Sequence, residues 1–406
     1  MSHGMSTPRS GHEVQLLQGS AELFPALVAE IEAAEREVRL ETYIFDVTGA
    51  AQAVAAALER AGARGLLVEI VVDGFGTAPL PLEWQQRLQR AGVRWRVYAP
   101  VGWMGMLRLG NWRRLHRKLC VVDGRVAFCG GINILDDLHD PNHGPLAAPR
   151  LDFAVRVTGP LVADAETGMA RLSWRMEAVR DIRRAQLAVA LDALRAAGRR
   201  RRSPRRAGPG RAHPKAKAAL LLRDNLRNRT RIERAYRRAI GRARHEIIIA
   251  NAYFVPGRKM RVALIAAAQR GVKVRLLLQG RYEYFMQYYA ARPVYGAMLR
   301  AGVEIHEYSP SFLHAKVAVI DGRWATVGSS NLDPLSLLLA REANVVIDDA
   351  GFAGQLRERL LQAMRQEGRV MSPAEYGKRP LRQRVMEHVA LALMRLALLV
   401  QGKKYL

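Results

Sequence analysis

A histidine, a lysine and an aspartate recur at the same offsets in two places along the chain. Leu115-His116-Arg117-Lys118-Leu119-Cys120-Val121-Val122-Asp123-Gly124 returns as Leu313-His314-Ala315-Lys316-Val317-Ala318-Val319-Ile320-Asp321-Gly322. Each copy runs on to a turn of small residues and an asparagine, Gly130-Gly131-Ile132-Asn133 and Gly328-Ser329-Ser330-Asn331. Residues two apart on a strand share a face, so His116 is expected beside Lys118, and His314 beside Lys316. Together the two copies would set two imidazoles and two ammonium groups around one small volume, which suits a phosphate. The lysines can neutralise charge on non-bridging oxygens, including charge that develops in the transition state. Asn133 and Asn331 can donate amide hydrogen bonds to the same oxygens, with Ser329 as a further phosphate ligand.

An imidazole is a good nucleophile for phosphorus and titrates near neutral pH. One histidine can attack to form a phosphohistidine while the other protonates the departing alcohol. The second then takes a proton from an incoming alcohol or water. The two must start in opposite protonation states, so each needs an orienting partner. Asp152 in Arg150-Leu151-Asp152-Phe153 and Glu342 in Arg341-Glu342-Ala343-Asn344 hold equivalent repeat positions and are the expected carboxylates. Asp123 and Asp321 each precede a glycine at the end of the motif strand and read as architectural. No metal or other cofactor is implied: the chain has no histidine-rich ligand cluster and no HExxH pattern, and the lysines already supply positive charge.

The elements that must position these groups repeat too. Val38 to Phe45 corresponds to Ile247 to Phe254, Arg64-Gly65 with Leu66 to Val72 to Arg270-Gly271 with Val272 to Leu278, and Ala91-Gly92-Val93 to Ala301-Gly302-Val303. Each half reads helix, strand, helix, strand, helix, strand and then the motif strand. This predicts an α/β fold of two similar lobes. The lobes are expected at 12–182 and 217–370, with a basic helix or linker at 183–216 and an amphipathic tail at 371–406. The first half carries an apolar insertion around 101–112, with Trp103, Met104, Met106, Leu107 and Trp112. The second carries a cluster of Tyr282, Tyr284, Phe285, Tyr288, Tyr289 and Tyr295.

With 64 Lys+Arg against 37 Asp+Glu, the 406-residue chain has a net charge of +27, which points to a polyanionic partner. Arg199 to Lys217 holds much of it and reads as a solvated linker, or as a contact for anionic lipid. The two cysteines, Cys120 and Cys129, are no disulfide framework and read as small buried hydrophobes in a reducing compartment. Met1 to Gly11 lacks the apolar core of a secretory signal, and no stretch approaches the ~20 apolar residues of a membrane span. Val385 to Val400 is apolar, interrupted by Arg395 and followed by Lys403 and Lys404. It fits a helix lying in a membrane interface or packed on the second lobe.

The duplicated His-x-Lys-x4-Asp with its trailing Gly-x-x-Asn resembles the phospholipase D superfamily over almost the whole chain. The likeness is greatest to the B-type bacterial cardiolipin synthases, in Leu40 to Phe45, His116-Arg117-Lys118, Ile249 to Phe254 and Trp324 to Ser336. The resemblance implies two lobes related by a pseudo-twofold axis with the active site at their interface. It implies catalytic roles for His116, Lys118, Asp123, His314, Lys316 and Asp321, with His116 as the nucleophile and His314 as the acid/base. It further implies transfer of a phosphatidyl group from one phosphatidylglycerol to another, with release of glycerol. The expected partner is then anionic phospholipid at the cytoplasmic face of the bacterial cell membrane, bound peripherally, with no nucleic acid and the oligomeric state left open. Lipid hydrolysis is the nearest alternative, since water can replace the acceptor alcohol. A nuclease would suit the charge, but nucleases with this motif are often single-lobe chains that dimerise.

Overall fold

The computed structural model describes residues 8–100, 113–183, 216–224, 228–282, 285–333 and 340–400. The apolar insertion at 101–112, the basic stretch up to residue 215, Tyr284, and Lys403 and Lys404 lie outside them. The first lobe runs β1 (Arg9–Gln18), α1 (Gly19–Glu32), β2 (Glu37–Thr42), α2 (Ala51–Ala63), β3 (Leu67–Asp73), α3 (Leu82–Arg90) and β4 (Arg94–Tyr98). It continues with β5 (Arg114–Leu115), β6 (Lys118–Val122), β7 (Val126–Gly130), the short hairpin β8 (His139–Asp140) and β9 (Gly144–Pro145), β10 (Phe153–Thr158) and α4 (Leu161–Arg183). The second lobe runs β11 (Ala216–Arg223), α5 (Arg231–Arg242), β12 (Glu246–Asn251), α6 (Arg258–Gln269), β13 (Lys273–Gln279), α7 (Phe285–Ala291) and α8 (Tyr295–Arg300). It closes with β14 (Glu304–Tyr308), β15 (Lys316–Ile320), β16 (Trp324–Gly328), β17 (Ala340–Asp348), α9 (Ala350–Glu367), β18 (Gly368–Val370), α10 (Pro373–Gly377) and α11 (Leu381–Val400).

The strand order is β1-β10-β7-β6-β2-β3-β4 in one lobe and β11-β17-β16-β15-β12-β13-β14-β18 in the other. The seven strands of the first order match the first seven of the second, and β18 extends the second lobe's edge with no counterpart among the described residues. The lobes join edge to edge where β1 pairs antiparallel with β11, which is the signature of a pseudo-twofold through that seam. The expected pattern opened each lobe with a helix, but the structure opens each with a seam strand. In β1 only His12, Leu16 and Leu17 are buried, so little hydrophobic periodicity marks it.

Each motif strand splits its side chains between two cores, as strand alternation requires. Leu119 and Val121 enter one cluster with Val317 and Val319 of the other lobe, together with Phe153, Val155, Ala343 and Val345. Cys120 and Val122 face an outer core under α1 and α2, and Ala318 and Ile320 face another in the second lobe. The half-sheets thus share a dry core between them, and each keeps its own on the far side. Cys120 in the outer core and Cys129 in the shared core are buried free thiols, pushed up to about 12 by burial.

Asp123 and Asp321 each open a three-residue hairpin loop, Val122 pairing with Val126 and Ile320 with Trp324. Both have positive φ, 53° and 51°, and each is followed by a positive-φ glycine, as an Asp-Gly turn between twisted strands demands. The Asp123 carboxylate accepts from the amides of Glu35, Arg36 and Glu37, and that of Asp321 from Arg244, His245 and Glu246. Burial alone would raise both carboxyls, but these amides outweigh it and hold them below the usual range. Each Asp therefore pins its motif hairpin to the chain entering the neighbouring strand.

One buried contact breaks the symmetry. Arg117, between the first histidine and lysine, forms an ion pair with Glu41, and both are buried. The equivalent residues of the second lobe are Ala315 and Ala250. Removing one partner of a buried pair strands a charge at about 3–5 kcal/mol, whereas replacing both is far milder. Arg117→Ala is expected to lower the melting temperature sharply and Arg117→Ala/Glu41→Ala to recover most of it, measured by thermal unfolding. Equal losses in the single and double variants would contradict this account.

Candidate active site

Neither histidine sits on its motif strand. The first lobe's chain leaves β5, which pairs in parallel with β17 of the second lobe, and crosses at His116 into β6 of its own sheet. The second lobe does the reverse: Leu313 bridges Leu151 before the chain enters β15. The expectation that His116 and Lys118 share a strand face is corrected accordingly, because the segment carrying each histidine hydrogen-bonds to the opposite lobe. The His116 amide donates to the Arg341 carbonyl at 3.0 Å, and the His314 amide donates to the Leu151 carbonyl at 2.9 Å.

The next residue after each of those carbonyls is a carboxylate, so the register delivers it to the histidine. Nδ1 of His116 lies 3.2 Å from Oε2 of Glu342, and Nδ1 of His314 lies 2.6 Å from Oδ2 of Asp152. Each imidazole is oriented by the other lobe. Both carboxylates are buried, while the imidazoles keep 15% and 19% of their side-chain surface exposed. With Nδ1 occupied, Nε2 is left for chemistry.

The lysines close the site from within the sheets. Lys118 Nζ donates to the His116 carbonyl at 2.9 Å, and Lys316 Nζ donates to that of His314. Lys316 also lies 4.0 Å from Asp152. Tyr43 packs on both groups of the first copy, its ring 5.0 Å from the His116 ring and 5.4 Å from Lys118 Nζ. Burial, reinforced by the neighbouring Lys316 charge, pulls the Lys118 ammonium down to about 7. Burial and the two lysines depress both imidazoles, His314 far more than His116.

The two carboxylates differ. Burial drives Asp152 up to about 7, and Lys316, the Phe153 amide and Lys118 offset only part of that rise. Burial pushes Glu342 upward too, but His116, Lys118 and the Ser329 hydroxyl outweigh it and hold Glu342 below its usual value. Ser329 Oγ donates to Glu342 and accepts from the Ala343 amide. This corrects the expectation of Ser329 as a phosphate ligand: its hydroxyl is spent on the carboxylate. Gly131 holds the equivalent position in the first lobe, and a Cβ there would sit 2.3 Å from Asp152 Oδ1.

His116, Lys118, His314 and Lys316 therefore meet, with Asp152 and Glu342 behind the histidines. Asp123 and Asp321 do not join them. They lie at the far ends of β6 and β15, five residues and about 16 Å of strand from the lysines. Asn133 Oδ1 accepts from the Ile44 amide at 3.2 Å, and Asn331 is buried with no partner on its Oδ1. Two residues had not been singled out. Asp73 accepts from the amide of Leu115, and Gln279 from that of Leu313, so each fixes the residue before a histidine. The repeat alignment, extended by one position past Val72 and Leu278, finds both. Among the described residues no cluster of histidine, cysteine or acidic side chains suits a metal ion.

A family model described as "Cardiolipin synthase, PLD-like domain" matches residues 27–143 and 236–364, one stretch in each lobe. Cardiolipin synthase B of Escherichia coli K12 is 39% identical over 352 residues, covering 87% of this chain and 80% of that protein. The chain belongs to the phospholipase D-like cardiolipin synthase family. Cardiolipin synthase B of Salmonella typhi is equally similar, at 39% over the same coverage. Cardiolipin synthase A of Citrobacter koseri is 28% identical over 93% of this chain. In fold, this family member resembles the phosphatidylserine synthase of Haemophilus influenzae, with a TM-score of 0.68 over 97% of both chains at 13% identity.

Ser329 is the group that distinguishes the two carboxylates by a donated hydrogen bond. Ser329→Ala is expected to let the Glu342 carboxyl rise and to cut turnover about tenfold or more. The acid limb of the pH–rate profile should move upward, since Glu342 must then be deprotonated at higher pH. An unchanged profile would place the asymmetry elsewhere.

Proposed function

We propose that this chain is a cardiolipin synthase, a phosphatidyltransferase that moves a phosphatidyl group from one phosphatidylglycerol to the terminal hydroxyl of another and releases glycerol. The observation that carries this reading is the pairing of two histidine–carboxylate dyads across the lobes, each imidazole's Nδ1 held by a buried carboxylate of the other half. Protons in such pairs belong to the pair rather than to either member. With its carboxyl near 7, the His314–Asp152 dyad keeps an extra proton close to neutral pH. The His116–Glu342 dyad, with both members lowered, keeps a neutral imidazole beside an ionised carboxylate. Groups whose environments drive them apart in this way divide acid from nucleophile.

In the first step Nε2 of His116 attacks phosphorus. The phosphorus–oxygen bond to the departing glycerol breaks, and His314 protonates that oxygen. In the second step the hydroxyl of the incoming phosphatidylglycerol gives its proton to the His314 dyad. Its oxygen then attacks phosphorus, and the phosphorus–nitrogen bond to His116 breaks. Lys118 and Lys316 hold the non-bridging oxygens, and the Asn133 and Asn331 amides are further donors. Asp123 and Asp321 contribute by fixing the hairpins. The similarity to B-type cardiolipin synthases supports the substrate, and the net charge supports anionic lipid. The enzyme would act peripherally at the cytoplasmic face of the cell membrane; no helix among the described residues is long and apolar enough to cross one.

Incubation of the purified protein with phosphatidylglycerol vesicles, followed by lipid mass spectrometry, tests the reaction. Cardiolipin with free glycerol is expected from the wild type and from neither His116→Ala nor His314→Ala. Phosphatidic acid without cardiolipin would make the enzyme a hydrolase. His314→Ala protein given a phosphodiester with a p-nitrophenolate leaving group, which departs without a proton, and quenched in alkaline denaturant should hold the phosphoryl adduct on His116. A trapped adduct on His314 in the His116→Ala protein would reverse the roles. Lys118 and the His314 dyad both lose a proton near pH 7. Since both act protonated, kcat/KM is expected to fall as pH rises through that region, and Lys118→Arg should remove the lysine's share of the fall.

A further inference from the structure

We infer that the outer face of α11 is a docking surface for the headgroup region of an anionic lipid bilayer. The inference rests on the phospholipid substrate proposed above and assigns the surface that meets it. Glu387, Ala390, Leu391 and Met394 are buried where α11 packs on α7 and the second-lobe core. Leu381, Val385, Val389, Leu393 and Leu396 are exposed, from 44% to 74% of their surface. At about 100° per residue these five sweep an arc of about 120°, which exposed Arg382 enters only in the first turn of the helix. A third sector, between the buried and the exposed apolar ones, carries Arg384, His388 and Arg395, all exposed. The only acidic residue of α11, Glu387, is buried and accepts from Arg379.

A helix already anchored by one face has no need of a second apolar face toward water. The flanking charge identifies what covers it. Arg258 and Lys259 on α6 are exposed near exposed Val262, and Arg261 lies within electrostatic reach of Arg395. The apolar arc is thus bordered by cations on a chain of net charge +27. A second copy would bring like charges together across the seam. A bilayer bearing anionic headgroups takes the apolar side chains and satisfies the arginines at once.

The surface is connected to the site. Helix α7 follows Arg281 and Tyr282. The Arg281 guanidinium stacks 5.3 Å from the ring of Phe312, two residues before His314. Tyr282 is 52% exposed and packs edge-on against Tyr288 and Tyr289 of α7, an aromatic cluster of the kind that settles at membrane interfaces. Docking through α11 would hold that rim of the site against the headgroups.

The test is vesicle flotation of the purified full chain, with mixed phosphatidylglycerol/phosphatidylcholine vesicles and with phosphatidylcholine alone. Val389→Glu/Leu393→Glu is expected to weaken binding to the mixed vesicles by about tenfold or more. It should keep wild-type turnover on a short-chain phosphatidylglycerol presented as monomers. Arg384→Gln/Arg395→Gln, fully surface changes that read the same face if the glutamate pair does not fold, should weaken binding to the anionic vesicles alone. Undiminished flotation of both folded variants overturns the inference. So does a wild-type dimer that the glutamate pair converts to a monomer while vesicle binding persists. Flotation that depends on α11, with no turnover of either lipid form by the wild type, would support the docking surface and overturn the transferase reading by itself.

Discussion

The site depends on an exchange of backbone hydrogen bonds between the lobes. The amide of each histidine binds a carbonyl in the opposite lobe, and the residue after that carbonyl is the carboxylate that orients the same imidazole. Peptide geometry couples the two contacts: with the amide docked, the neighbouring side chain is one residue away and has little freedom to miss. The lobes therefore cannot separate or slide without losing both orienting pairs. Each lobe taken alone would carry a histidine and a lysine with no carboxylate behind the imidazole. The shared core of Leu119, Val121, Val317 and Val319 supplies the apolar burial that keeps this seam closed.

Duplication makes two equal halves, yet two-step phosphoryl chemistry needs unequal ones. The inequality enters through few atoms. Glu342 in place of Asp152 and Ser329 in place of Gly131 give one carboxylate a hydroxyl donor and leave the other to the cost of burial. A hydrogen bond to the charged form lowers a carboxyl's pKa, and desolvation without enough such bonds raises it. The two carboxyls are thus driven in opposite directions around one pocket, with the backbone symmetry intact. The buried Arg117–Glu41 pair, replaced by Ala315 and Ala250 in the other lobe, shows the same freedom at a position away from the reacting atoms.

Burial depresses the Lys118 ammonium, and the second ammonium of Lys316 in the same small volume depresses it further. A bound phosphate would relieve that depression, since an anion between two cations favours the protonated form of both. The cationic pocket is therefore best satisfied when occupied, which suits electrostatic stabilisation of a phosphorus centre gaining charge. The exposed surfaces repeat this complementarity on a larger scale, with basic residues bordering apolar ones along α11.

The sequence alone carried the duplication, the α/β layering, the two His-x-Lys pairs and the equivalence of Asp152 and Glu342, because these are matters of residue type and spacing. The Asp-Gly hairpins were legible for the same reason, since positive φ at both turn residues selects those types. Tertiary structure decided everything that depends on which chains meet. It opened each lobe with a seam strand, of which β1 is too polar to announce itself, and it lifted the histidines off their motif strands. It also paired each imidazole with the carboxylate of the other lobe and turned Ser329 from phosphate toward Glu342. Spacing along a chain states which residues can share a face within one element. Contacts across a symmetry seam are set by packing, and no periodicity within either lobe encodes them.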